Sequence, residues 1–220
     1  MEKQDNETLM RAFYDPPFLV KRLFPEFYWN TLNNEILLTF DDGPHQGTTE
    51  IILECLNKAN VKAIFFCVGN NVRKNPGLTK SIIDQGHLLA NHTYNHQNVT
   101  FLTEGKLSSE IKSVNDLLYN DFNYRIKYFR PPHGRFSYSL SKRIKQHGLQ
   151  NVMWSLLTFD YKNELNIVKF ALQKYLAADS IIVLHDSRKS KNIIKGSIEY
   201  IIELSEQREY KIGAPSECLR

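Results

Sequence analysis

The tightest constraint on this chain's fold is an alternation of short β-rich apolar runs with segments of helical period. The runs fall at residues 36–40, 63–68, 87–90, 126–129, 151–154, 180–184 and 210–212. Between them, residues 49–60 carry Ile51, Ile52, Cys55, Leu56 and Ala59 on one stripe. Residues 107–119 carry Ile111, Val114, Leu117 and Leu118 in the same way, and 193–204 repeat the spacing. Seven strands alternating with helices predict an α/β fold with a parallel sheet, closed or nearly closed into a (β/α) barrel. In such folds chemistry collects where strands end and loops begin.

A length of 220 residues suits one domain with one core. Residues 35–220 carry the alternating pattern and are expected to form that domain. Residues 1–34 read as a lead-in packing on the barrel; its segment 16–29, rich in Pro and aromatics, could also make a shallow peripheral contact with a membrane or glycan. The net charge of +4 would suit an anionic glycan or a membrane surface, but no Lys/Arg block marks a nucleic-acid partner. The polar N-terminus lacks the apolar core of a signal peptide and no run reaches membrane-spanning length, which predicts a cytoplasmic protein. Cys55, Cys67 and Cys218 form no CxxC pair and read as buried thiols. Nothing in the sequence specifies an oligomeric state.

Several strand ends carry chemistry. The first run ends in Asp41-Asp42-Gly43-Pro44. Two neighbouring carboxylates repel each other unless a cation sits nearby, although an Asx turn capping the next helix would also explain the segment. The third run leads into His92-Thr93-Tyr94-Asn95-His96. Imidazoles four residues apart share one face of a helical turn and can close on one metal. Two His and one Asp make a three-ligand site with an open position, as a catalytic zinc requires. Asp42 would be the third ligand, leaving Asp41 free as a base.

Arg130-Pro131-Pro132-His133-Gly134 follows the fourth run. Arg130 could grip a carboxylate with two prongs, on a loop stiffened by the prolines. The apolar run at 181–184 ends in His185, suited to general-acid work near neutral pH, and Asp160 could bond the far ring nitrogen and raise its pKa. Asp186 reads as a turn residue or helix cap.

In this order and spacing, TFDDGP, NHTYNH, FRPPHG, the 154–161 stretch and VLHD resemble the polysaccharide deacetylase family with the NodB homology domain (carbohydrate esterase family 4), across residues 35–213. The resemblance implies a distorted (β/α) barrel of about seven strands and one divalent metal, zinc foremost, on Asp42, His92 and His96. It implies Asp41 as base, Arg130 orienting it, and His185 as acid with Asp160 behind it. Pro132, His133, Gly134, Tyr161 and Val183 would contact substrate, with the His133 backbone N–H in the oxyanion hole. The chain departs from the family pattern in having Leu157 for an Asp, Tyr161 for a Trp, Val183 for a Leu and His133 for a Tyr, which puts the substrate in question more than the catalysis. The function implied is removal of N-acetyl groups from an acetamido sugar in a polysaccharide or glycoconjugate. The alternatives are an amidohydrolase acting on a small acyl amide and a carbohydrate-binding pseudoenzyme.

Overall fold

The computed structural model describes residues 11–220. In chain order its elements are α1 (Phe18–Leu23), β1 (Leu37–Asp41), α2 (Thr49–Lys58), β2 (Ile64–Cys67), α3 (Gly69–Lys74), α4 (Pro76–Asp84), β3 (Leu88–Asn91) and α5 (Glu104–Phe122). There follow β4 (Tyr128–Phe129), α6 (Tyr138–Gln146), β5 (Gln150–Asn151), β6 (Leu156–Leu157), α7 (Leu165–Tyr175), β7 (Ile181–His185), α8 (Ile194–Gln207) and α9 (Pro215–Cys218). The seven strands are all parallel, in the order β5-β4-β3-β2-β1-β7-β6, and the sheet curls into a half-barrel. The α/β fold with seven parallel strands is the one expected from the alternation.

The central strand explains the layering. Every residue of β1 is buried, as in a parallel sheet covered on both faces. Side chains alternate along it: Leu38 and Phe40 pack with the amphipathic helices, while Leu37 turns to the concave interior with Ile64, Phe66 and Ile181. Asp41 shares the parity of Leu37, and the register sets it beside Phe66 of β2 and His185 of β7. The period of 2 thus sends Asp41 and His185 into the same concavity. The stripe foreseen on α2 meets the other side of the sheet through Ile52, Leu53, Cys55 and Leu56.

The lead-in links the β5 edge of the sheet to β7, the strand next to the opposite edge. Tyr28 bridges Val152, just past β5, and Asn30 bridges Ser180, just before β7. Phe27 and Trp29 are buried against Phe136 and Met153, each contributing about 1.5–3 kcal/mol of apolar burial. Within α1, Phe18, Leu19 and Leu23 remain exposed. No helix among the described residues is long and apolar enough to cross a membrane. All three cysteines are free and buried.

Two strand expectations are corrected. Residues 210–212 make only an isolated bridge between Ile212 and Ile36, because Gly213 and Pro215 stop the ladder at once. The run at 151–154 divides instead of forming one strand. Arg130 takes the carbonyls of Val152 and Met153, so beyond the isolated Tyr28–Val152 bridge a ladder forms again only at β6, inside the stretch read as a motif.

Candidate active site

The concave end of the sheet opens into a cavity of about 1450 Å³. Asp41 closes β1, and Asp42 follows in the left-handed region at φ 78°. That reversal brings the second carboxylate into the pocket, where an extended residue would have pointed away. Asn71 Nδ2 fixes the turn by donating to the Asp42 carbonyl at 2.7 Å.

His92 and His96 do meet Asp42, but not from a helical turn. The loop after β3 is irregular, with Thr93 at φ 65° and His96 at φ 55°. It is held from both sides. Asn91 Oδ1 accepts the Thr93 N–H at 2.8 Å, and Glu110 accepts from both the backbone and the side-chain amide of Asn95 at 2.8 and 2.6 Å. The expected helix face is therefore corrected: polar clamps, not helical spacing, bring the two imidazoles together. His96 Nε2 lies 3.1 Å and His92 Nε2 3.7 Å from Asp42 Oδ1.

The ligand atoms of Asp42, His92 and His96 all lie within 4.8 Å of one another. His92 Nδ1 donates to the Arg130 carbonyl at 2.7 Å, which fixes the tautomer with a lone pair on Nε2. Burial holds the His92 pKa at about 4, so the ring is neutral, as a ligand must be. Burial opposes ionisation of Asp42, but the hydrogen bond from His96 and the field of His185 hold it well below the usual carboxylate range. One carboxylate and two imidazoles in one corner suit a divalent ion.

Arg130 is wholly buried and uses its whole fork. Nη1 reaches Asp41 Oδ1 at 2.7 Å and Thr39 Oγ1 at 2.8 Å, while Nε and Nη2 donate to the carbonyls of Val152 and Met153 at 2.8 and 2.6 Å. Its guanidinium also lies 4.0 Å from the centre of the Phe66 ring. The two-pronged grip foreseen on a carboxylate is therefore a one-point contact, because the other donors serve the barrel backbone.

Across the pocket, His185 Nδ1 meets Asp160 Oδ1 at 2.7 Å, and the His185 N–H donates to Asp160 Oδ2 at 2.7 Å. Burial opposes charge on this ring, but the carboxylates, Asp160 foremost, raise its pKa to about 9. Trp154, Leu157, Tyr161 and Val183 form an apolar wall beside it. The Tyr161 ring stands edge-on to His185, with centroids 5.0 Å apart. His133 sits at φ 58°, its ring 4.6 Å from that of His96, and Gly134 faces Trp154. Pro132 is buried at the start of the turn and does not line the cavity.

Asp186 is not the turn residue or cap foreseen. It is fully buried, its Oδ2 accepts from Thr49 Oγ1 at 2.6 Å, and its N–H donates to the Asp41 carbonyl at 2.8 Å. Its carboxyl lies so close to Gly43 that no β-carbon would fit there. Burial raises its pKa to about 8. The side chain is thus a buttress beneath the Asp41-Asp42 turn, needed because that turn packs on the β7 exit. The sequence also gave no weight to Lys74, Arg188, Lys189 and Lys191, which stand on the pocket rim; the net charge of +4 was the only hint of them.

Fold and site together define a parallel α/β half-barrel scaffold with an Asp-His-His corner. The polysaccharide deacetylase family profile matches residues 30–152. A peptidoglycan-N-acetylglucosamine deacetylase of Bacillus cereus is 38% identical over 128 residues, covering 58% of this chain and 46% of the relative. The chain thus spans about half the length of that relative. A second Bacillus cereus peptidoglycan-N-acetylglucosamine deacetylase is 32% identical over 213 residues, covering 92% of this chain and 98% of the relative. Among solved structures, the Bc1960 peptidoglycan N-acetylglucosamine deacetylase superposes with a TM-score of 0.82 at 26% identity, covering 92% of this chain and 96% of that one. The chain belongs to the polysaccharide deacetylase family.

Proposed function

We propose that this protein removes N-acetyl groups from acetamido sugars of a bacterial-wall type of glycan, releasing acetate and a free amine. The observation that carries the reading is one pocket holding both a metal-type corner (Asp42, His92, His96) and two separately supported proton-transfer groups (Asp41 on Arg130, His185 on Asp160). A relative aligned along nearly the whole chain is a peptidoglycan deacetylase, which supports the substrate class.

Asp42, His92 and His96 would hold the ion, with zinc the best match to two imidazoles and one carboxylate. When bound, such an ion supplies Lewis-acid polarisation of the acyl oxygen and acidifies water. The rest falls to side chains. Asp41, kept in place by the buried guanidinium of Arg130, takes a proton from the water that adds to the amide carbon. His185, kept protonated by Asp160, gives a proton to the nitrogen as the C–N bond breaks. The His133 backbone N–H, on its left-handed turn, is the donor assigned to the developing oxyanion. Trp154, Leu157 and Val183 shape the space beside His185 for a methyl group.

The test is acetate release from peptidoglycan fragments, chito-oligomers and small acyl amides, with the enzyme metal-loaded and chelator-treated. Release from a glycan that stops on chelation is the expected result. Turnover of small amides alone, or glycan binding without any release, would refute it.

A further inference from the structure

Part of the pocket rim is cationic. Three segments build it: the turn after β1 (His45 to Gly47), the end of α3 at Lys74, and the loop after β7 carrying Arg188, Lys189 and Lys191. The β7 loop is anchored rather than loose. Buried Ser190 donates through Oγ to the His185 and Ser187 carbonyls, and Thr48 Oγ1 donates to the Ser187 carbonyl at 3.3 Å. From that anchor the three cations fan out exposed on the rim. Lys191 leans over the β1 turn, where a β-carbon on Gly47 would come within 2.8 Å of its Nζ. Arg188 and Lys74 lie close enough to His45 that, after burial, their charges lower its proton affinity.

Among the described residues none of these four cations makes an ion pair. The one carboxylate of this wall outside the metal corner and the base, Glu50, accepts the Gly47 N–H at 2.6 Å and sets one negative charge against the four cations. Four cations against one carboxylate leave this rim with a net positive charge that an incoming anion would relieve. They border the same cavity as Asp42, so an anion held there would belong to the molecule whose acetamide is at the metal corner.

Resting on the deacetylase reading, we propose that the substrate is an acidic glycan, and that Lys74, Arg188, Lys189 and Lys191 form the subsite for an anionic substituent next to the acetamido sugar. Long exposed cations give modest, salt-screened attraction individually, so together they should favour the acidic glycan by roughly tenfold, mainly through KM.

The experiment compares a neutral chito-oligomer with two acidic acetamido glycans of matched length, one bearing a carboxylate and one a phosphate. Metal-loaded wild type and the fourfold variant Lys74→Gln, Arg188→Gln, Lys189→Gln, Lys191→Gln are assayed for acetate release and for binding by calorimetry. A wild-type preference for either acidic glycan that collapses towards parity in the variant supports the subsite, and the preferred glycan identifies the anion. Equal kcat/KM on neutral and acidic glycans, or a preference the variant retains, overturns it. Should the variant be damaged, the wild-type preference must still shrink between low and physiological ionic strength, and a salt-independent preference overturns the proposal. If no glycan loses acetate, the deacetylase reading fails, and calorimetry still decides the subsite by the same comparison.

Discussion

Arg130 supports His92 through its backbone: its carbonyl accepts the His92 Nδ1–H at 2.7 Å, on the same residue whose guanidinium holds Asp41 at 2.7 Å. One residue therefore sets the tautomer of a proposed metal ligand and the position of the proposed base beside it. The backbone contact survives any substitution, whereas the side-chain contact can be removed alone.

Arg130→Gln should destabilise the protein by about 3–5 kcal/mol, because it leaves Asp41 buried without its counter-charge. The double variant with Asp41→Asn should recover part of that loss, since no bare anion remains. Urea unfolding of the wild type, both single variants and the double variant measures this coupling. Strictly additive effects would show that the pair does not act as one.

The two adjacent aspartates should separate by function. Asp41→Asn should lower kcat by at least ~10²-fold while metal content stays near wild type. Asp42→Asn should instead lower metal content, as should His92→Ala. Elemental analysis beside acetate release distinguishes them; equal metal loss in Asp41→Asn and Asp42→Asn would reverse the assignment.

His87 predicts an acid-side loss of stability. Its ring is 2% exposed, and Nδ1 accepts the Ala63 N–H at 3.2 Å. Burial, aided by Lys62, holds its pKa at about 4 in the fold. In the unfolded chain the ring protonates near pH ~6.5. Above that pH both states are neutral and nothing is lost. As pH falls from about 6.5 to about 4 the unfolded state gains the proton first, and stability drops by up to ~3 kcal/mol. His87→Asn keeps an acceptor for Ala63 and removes the titration. Urea midpoints at pH 7.5 and 4.5 should fall further for the wild type than for this variant, and parallel falls would contradict the assignment.

Gly134 has φ 62°, and a methyl group there would run into the Trp154 indole. Gly134→Ala should therefore displace Trp154 from the acyl side, raise KM, and destabilise by about 1–3 kcal/mol with metal content retained. Steady-state kinetics on a glycan and thermal melts check both parts. An unchanged KM would mean that Trp154 lies outside the substrate's path.

The sequence alone determined the parallel α/β layering, because buried parallel strands and amphipathic helices leave different periods that can be read locally. It also put Asp41, Arg130 and His185 at strand ends, since each directly follows an apolar run, with Asp42 and the His92–His96 segment in the loops just beyond. Tertiary structure decided what local pattern cannot encode. The short strand β6 has two residues and no periodicity, and it exists because β7 pairs with it. The Arg130 fork is spent on Val152 and Met153, residues brought near only by the curl of the sheet. His92 and His96 converge through clamps from Asn91 and Glu110 rather than through helical spacing. Asp186 became a buried buttress, and Lys74 joined Arg188, Lys189 and Lys191 on one rim, although more than a hundred residues separate them. Spacing along a chain sets the faces of single elements. Contacts between elements depend on the register and curl of the whole sheet, and these settle only when all seven strands are in place.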